Sequence, residues 1–96
     1  MDSIFENAVK RGAQVVSNPK VIKDEHGSVK LATIKTYGDT THTFVERSRY
    51  HGAFMPGFRA AENKDPLSAS LPPVPIDVID HCVGNQDWGE MEAACD

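Results

Sequence analysis

Prolines and glycines concentrate in the middle of the chain and restrict where regular structure can form. Five of the six prolines, with two of the glycines, lie within residues 52–75. Proline fixes φ and has no backbone N–H to donate, so a long helix or a central strand cannot run through this stretch. Regular elements are therefore expected before Tyr50 and again from Ile76 onward. Tyr50, Phe54 and Phe58 also lie between residues 50 and 75, which favours a segment held on a surface by its rings over a flexible linker.

Length and charge set the next limits. The 96 residues, 40% hydrophobic and 25% charged, give one small domain or part of a larger one, with a soluble-protein composition. The net charge of −4 divides into +3 over residues 1–59 and −7 over residues 60–96. There is no basic stripe with interleaved aromatic residues, so no nucleic-acid partner is expected. The acids of the second part are scattered, which favours a solvated surface over an interaction arm.

Apolar runs and cysteines indicate the compartment. No run of 18 apolar residues is present, so no membrane anchor is expected. The start Met1-Asp2-Ser3 lacks the apolar stretch of a secretory signal. Cys82 and Cys95 are too few for a disulfide scaffold. A cytoplasmic location is the expectation.

The first fifty residues predict a helix followed by three strands. Ser3 and Glu6 have capping-box spacing, and the apolar residues that follow recur with helical periodicity up to Gly12, a typical C-terminal residue. Extended runs come next, with turns at residues 24–27 and 37–39; the runs are 14–17, interrupted at Asn18-Pro19, then 21–23, 28–35 and 40–47. This order predicts an α+β fold with an antiparallel sheet.

The third candidate region is an apolar run that contains one histidine. Ile76 to Val83 reads as a strand. Alternation puts Ile79, His81 and Val83 on one face, and Asp80 and Cys82 on the other. A metal site needs three or four donors, and no partner for His81 lies within a few residues of it on that face. A lone histidine in a strand is more often structural, and from spacing alone both interpretations stay open.

Two further polar groups favour structural interpretations. His42 and Glu46 share a strand face, but four residues of extended chain place them about 13 Å apart, too far for one ion. Asp24, Glu25 and His26 lack the spacing of a calcium loop and are typical of a solvated hairpin tip.

Three long motifs occur along the chain. They are Thr36-Tyr37-Gly38-Asp39-Thr40-Thr41-His42-Thr43-Phe44-Val45-Glu46, Phe54-Met55-Pro56-Gly57-Phe58 and Ile79-Asp80-His81-Cys82-Val83-Gly84-Asn85-Gln86, with an Arg11-Gly12-Ala13 segment upstream. In order and spacing these segments resemble the 4-hydroxyphenylpyruvate dioxygenase family, most of all its eukaryotic members. Together they cover almost the whole chain.

The resemblance implies a fold and a reaction. The family consists of non-haem Fe(II) oxygenases of the vicinal oxygen chelate fold, built from βαβββ modules. They convert 4-hydroxyphenylpyruvate and O₂ to homogentisate and CO₂ in tyrosine catabolism, with one iron per complete subunit held by two histidines and a carboxylate. By resemblance His81 is the first iron ligand and Val83 lies near the substrate pocket. His42 and Glu46 fall in the family's N-terminal domain, which holds no iron.

The same resemblance implies an internal fragment of a complete, homo-oligomeric enzyme. Residues 1–49 would be the remainder of an N-terminal module that lacks its first strand, 50–75 the interdomain linker, and 76–96 the start of the catalytic module. The other two iron ligands would lie outside the chain, so the chain alone is expected to be inactive. Alternatives are a fragment of 4-hydroxymandelate synthase, or a truncated non-catalytic paralogue that lends its sheet edge to a partner.

Overall fold

The computed structural model describes residues 1–95 and divides the chain into two units, one of residues 1–60 and one that begins at residue 61. The first unit contains a helix and a three-stranded antiparallel sheet; the second contains two short helices. In chain order the elements are α1 (Asp2–Lys10), β1 (Val15–Asp24), β2 (Gly27–Lys35), β3 (Thr41–Tyr50), α2 (Pro66–Ser70) and α3 (Met91–Cys95). The predicted α+β class is confirmed for the first unit.

Helix α1 forms as predicted but begins differently. The amides of Ile4 and Phe5 both donate to the carbonyl of Met1 (3.1 Å each), and Met1 is the N-cap with no side-chain capping bond. Ser3 therefore lies inside the first turn, and the predicted capping box with Glu6 was wrong. The C-terminal end follows the prediction, because Gly12 has φ 97° and its amide donates to the carbonyl of Val9 (3.0 Å).

The core of the first unit lies between α1 and the middle of the sheet. Strand β2 pairs with β1 on one side and β3 on the other, so its residues are the most enclosed. Phe5 of α1 packs with Ala32 and Ile34 of β2, and all three are buried. Partly buried hydrophobic residues surround them; these are Met1, Ala8, Ala13 and Phe44.

Strand β1 is continuous where the sequence predicted an interruption. Its register against β2 shifts between Val15 and Ser17 and again between Ser17 and Lys20, on either side of Ser17 and spanning Pro19. Since β1 is an edge strand, Pro19 needs no ladder partner on its outer side, and the sheet absorbs it as a local irregularity.

The β1–β2 turn requires a glycine at its end. Glu25 and His26 connect the strands, and Gly27 has φ 127°. A Cβ atom at Gly27 would lie 2.0 Å from the carbonyl oxygen of Arg49 on β3. Any side chain at this position would separate β2 from β3, so the glycine fixes both the turn and the strand pairing.

The prediction of a strand over residues 76–83 was wrong, because the second unit has no strand there. Within the described part of the chain no strand follows Tyr50, and residues 71–87 form neither helix nor strand. Ile76 and Ile79 are 83% and 89% exposed. The amide of Ile76 donates locally, to the carbonyl of Val74 (2.9 Å). A strand needs a neighbour's N–H and C=O groups, and the residues up to 95 place no neighbour here.

The helices of this unit were not predicted. Helix α2 begins at Pro66, where a missing N–H costs nothing, and the Asp65 carboxylate accepts from the amide of Leu67 (2.9 Å). None of the helices over residues 1–95 is long and apolar enough to cross a membrane.

Candidate metal-ligand site and the anchored loop

The predicted metal ligand, His81, lies in the irregular part of the second unit. Its side chain is 70% exposed, and its Nδ1 atom is in contact with a carboxylate oxygen of the neighbouring Asp80, whose side chain is 87% exposed. On a pleated strand these two side chains would point to opposite faces, as the sequence pattern predicted. They meet because the segment is not held in a sheet.

The Asp80 contact occupies one of the two ring nitrogens of His81. The carboxylate oxygen lies against Nδ1, which leaves Nε2 as the ring nitrogen outside the contact. A hydrogen bond here runs from Nδ1–H to the carboxylate. This is the arrangement in which histidine ligates metals in proteins, with the second nitrogen donating to a carboxylate or carbonyl.

The donor set tests how far these residues fit an iron site. A two-histidine, one-carboxylate centre needs three donors at one point. No group of three His, Cys, Asp or Glu side chains that could hold a metal is present within residues 1–95. His81 therefore fits one ligand of such a centre, and the described residues do not form a complete one. Val83 is 75% exposed, two residues beyond it.

The other sequence candidates lie in the first unit. On β3, His42 pairs in register with Ile34, and the Glu46 carboxylate lies 3.3 Å from the amine of Met1. Near it, Lys30 donates to Asp2 (2.6 Å), and this hydrogen bond lowers the pKa of Asp2 below its ordinary value. The charged groups of this region are thus arranged in pairs that tie α1 to the sheet.

The role of Asp24 was not predicted from the sequence. Its Oδ1 accepts from the amide of His26 (2.8 Å), which closes the β1–β2 turn, and its Oδ2 accepts from the amide of Gly57 (3.0 Å), 33 residues along the chain. The bond from Gly57, helped by that from His26, holds the pKa of Asp24 below its ordinary value. The first bond is a local Asx turn that the sequence could have indicated. The second depends on tertiary structure.

Tyr50 also holds the segment that contains Gly57. We call residues 51–58 the anchored loop, because the Tyr50 hydroxyl lies 2.8 Å from the carbonyl oxygen of Met55 and 3.1 Å from that of Ala53. Its single proton can serve one of these at a time. Tyr50 is only 6% exposed, and this burial, with the nearby Asp24 charge, raises the pKa of its hydroxyl.

The rings of the anchored loop pack on each other more than on the sheet. Phe54 and Phe58 meet edge to face with centroids 5.0 Å apart, yet they are 67% and 56% exposed. Phe54 also has a positive φ of 50°. The prediction that rings hold this segment on a surface is confirmed for Tyr50, while the two phenylalanines present an open aromatic pair.

Comparison with known proteins finds 4-hydroxyphenylpyruvate dioxygenases that match almost the whole chain. It is 58% identical over 96 residues to the 4-hydroxyphenylpyruvate dioxygenase of Yarrowia lipolytica, covering 99% of this chain. It is 56% identical over 96 residues to that of Coccidioides posadasii, and 58% identical over 90 residues to that of Dictyostelium discoideum. No protein-family model matches the chain.

These matches confirm the resemblance to the 4-hydroxyphenylpyruvate dioxygenases across the length of the chain. The reverse coverage is much smaller, because the chain spans 24% of the length of each of these three relatives. The similarity therefore concerns about a quarter of the length of each of these longer enzymes. Activity and substrate belong to the complete relatives, and for this chain they are matters of proposal.

Proposed function

We propose that this chain is part of a 4-hydroxyphenylpyruvate dioxygenase, which uses O₂ to convert 4-hydroxyphenylpyruvate to homogentisate and CO₂. The observation that carries the proposal is the match of 58% identity over 99% of the chain to an enzyme of that name. The matched stretch includes the three motifs between Thr36 and Gln86. The reaction is inferred from the full-length relatives. The residues of this chain would form part of the scaffold and contribute one metal ligand.

The fold supports the assignment of three stretches of the chain to different parts of the enzyme. Helix α1 and strands β1 to β3 have the order of the last four elements of a βαβββ vicinal-oxygen-chelate module, and we assign residues 1–49 to that module. Residues 50–75 then form the connection, and residues 76–96 open the catalytic module. In this scheme the segment 76–83 acquires its strand partners from the rest of the catalytic module, which is why it lies unpaired here.

His81 is the proposed iron ligand. Its imidazole would supply one ligand to Fe(II), and the remaining histidine and carboxylate would come from elsewhere in the enzyme. The iron, when bound, would supply open coordination positions for the substrate's 2-oxo acid group and for O₂. Val83 would lie beside that substrate.

We place the enzyme in the cytoplasm as a homo-oligomer, with no nucleic-acid partner.

A transplant experiment tests the proposal. Residues 1–96 replace the matching stretch of the Yarrowia lipolytica enzyme, and the chimera is assayed for homogentisate and for bound iron. The chimera is expected to retain both. His81→Ala is expected to reduce bound iron and homogentisate formation to background, because one of three ligands is lost, whereas His42→Ala in β3 keeps both.

The product and the iron content separate the competing interpretations. A folded, iron-loaded chimera that makes 4-hydroxymandelate would favour the synthase. A folded chimera that makes neither product would favour a non-catalytic paralogue. If the His81→Ala chimera binds iron with unchanged stoichiometry, the ligand assignment is wrong.

A further inference from the structure

We infer that Phe54 and Phe58, which we call the aromatic pair, form a docking surface for an apolar surface on the remainder of the parent polypeptide. This inference goes beyond the proposed function and rests on it, because that function makes the chain part of a longer enzyme. The chain spans 24% of the length of each of three relatives. Most of the parent polypeptide is therefore available as the partner, and it is covalently joined to the aromatic pair.

The backbone that carries the aromatic pair is bonded to the sheet at several points. The His51 amide donates to the carbonyl of His26 in the β1–β2 turn (3.0 Å), and the Gly57 amide donates to the Asp24 carboxylate (3.0 Å). The carbonyl groups that the Tyr50 hydroxyl contacts lie between these two points. The anchored loop is thus fixed to the hairpin and to β3 along most of its length.

The two rings remain open to solvent although their backbone is fixed. Phe54 is 67% and Phe58 is 56% exposed, even with the edge-to-face contact between them. Phe54 also has a φ of 50°, a left-handed conformation that residues other than glycine rarely adopt and that persists only where the surroundings impose it. The bonds of the loop therefore hold two large apolar side chains in a set geometry on the surface. Preformed aromatic side chains of this kind are typical anchors of protein interfaces.

The size of the aromatic pair favours a tethered partner over a separate molecule. Two aromatic side chains bury at most about 500 Å² together, whereas a stable complex of separate proteins buries about 800 Å² on each partner. A surface on the same polypeptide needs less area, because a short tether gives an effective concentration of about the millimolar range. We therefore assign the aromatic pair to a contact within one subunit rather than between two.

Hydroxyl-radical footprinting measures the exposure of the rings without any substitution. The chain alone and the chimera with the Yarrowia lipolytica enzyme are oxidised under the same conditions, and the products are located by mass spectrometry. Phe54 and Phe58 are expected to be oxidised in the chain alone and to lose most of that oxidation in the chimera. Tyr50, which is only 6% exposed, serves as the residue that is protected in both. Equal oxidation of the two rings in the chain and in a folded chimera would overturn the inference.

Dilution identifies the partner. Protection that persists when the chimera is diluted to monomers, as shown by light scattering, would support a contact within one subunit. Protection that disappears in the monomers would assign the pair to a second copy and overturn the inference. Failure of the proposed function is distinguishable, because it would be seen as a parent chimera that lacks homogentisate formation, whatever the exposure of the rings.

Trypsin cleavage after Arg59, the residue next to the aromatic pair, provides the second measurement. In the chimera, the double variant Phe54→Ala with Phe58→Ala is expected to be cleaved about tenfold faster than the parent, because burial of one large ring shifts a docking equilibrium by about that factor. The same double variant of the chain alone is expected to be cleaved at the rate of its own parent, which controls for the altered residue beside Arg59. Ile4→Ala, which removes an apolar side chain that is 57% exposed elsewhere in the first unit, is expected to leave the rate unchanged in the chimera. An equal effect of the double variant in the chain and in the chimera would contradict docking.

Discussion

At the scale of single residues, one carboxylate joins two distant parts of the first unit. Asp24 accepts from the amide of His26 in its own turn and from the amide of Gly57 in the anchored loop. Because both donors are backbone groups, they cannot be moved without moving the chain. Gly57 belongs to the Phe54–Phe58 motif of the family resemblance. This motif carries no proposed catalytic group, and the bond from Gly57 to Asp24 gives it a structural role in holding the loop.

This carboxylate predicts an acid-sensitive step in stability. The pKa of Asp24 is lower in the folded chain than its ordinary value of 3.8, so its contribution is present above about pH 4. It is lost as the pH falls through the lower, folded-state pKa. Urea unfolding at pH 7 and pH 3, followed by circular dichroism, is expected to show a smaller pH-dependent drop in midpoint for Asp24→Asn than for the parent.

A carboxylate elsewhere provides the control. Asp39, in the turn before β3, is replaced by asparagine in the same way, and this variant is expected to keep the full pH dependence of the parent. Some drop should remain in Asp24→Asn, because Asp2 also has a lowered pKa through its bond with Lys30. An Asp24→Asn protein as acid-sensitive as the parent would mean that the bond to Gly57 contributes nothing in solution.

At the scale of elements, α1 is attached to the sheet mainly through one ring. Phe5 is 7% exposed and packs on Ala32 and Ile34, whereas Ile4, its neighbour on the helix, is 57% exposed. Phe5→Ala is expected to cost about 3–5 kcal/mol, because the ring leaves a cavity in a very small core. Ile4→Ala is expected to change the free energy of unfolding by no more than about 0.5 kcal/mol.

Urea denaturation of the two variants measures the difference. Domains of this kind have total stabilities of only about 5–15 kcal/mol, so Phe5→Ala is expected to be partly or largely unfolded at neutral pH. Equal midpoints for the two variants would show that α1 does not contribute to the cooperative unit. The comparison is controlled for helix propensity, because both changes place alanine in the same helix.

The elements also show what the sequence could and could not predict. Local signals were sufficient for α1 and for the β1–β2 hairpin, since periodicity and the glycines at 12 and 27 act within a few residues. The strand predicted at 76–83 failed because a strand is completed by its neighbour, and apolar side chains alone do not supply one. The capping box failed because the helix starts one residue before Ser3.

The candidate site also shows which features local sequence patterns can predict and which depend on the folded structure. The spacing around His81 could not decide between a structural residue and a ligand, and the resemblance alone favoured the ligand. Its contact with Asp80 was hidden by the assumption of a pleated strand. The bond between Asp24 and Gly57 could not be predicted, because it joins residues that only the folded sheet brings together.

At the scale of the whole molecule, the two units differ in how their backbones are bonded. In the first unit the central strand β2 is paired on both sides, whereas residues 76–83 of the second unit have no ladder partner among the described residues. Protection from hydrogen exchange requires bonded, buried amides. The chain is therefore expected to combine a protected sheet with an exchangeable segment that carries the proposed iron ligand.

Hydrogen–deuterium exchange of the full chain measures this contrast directly. Amides of β2 (Gly27–Lys35) are expected to exchange slowest, and those at 76–83 near the rate of an unstructured peptide. In the chimera, where we propose that the segment gains strand partners, the same amides should become protected by at least about tenfold, a change of about 1.4 kcal/mol. Exchange that is already slow at 76–83 in the chain alone would contradict the unpaired segment. Equally fast exchange in the folded chimera would contradict the proposal that this segment opens the catalytic module.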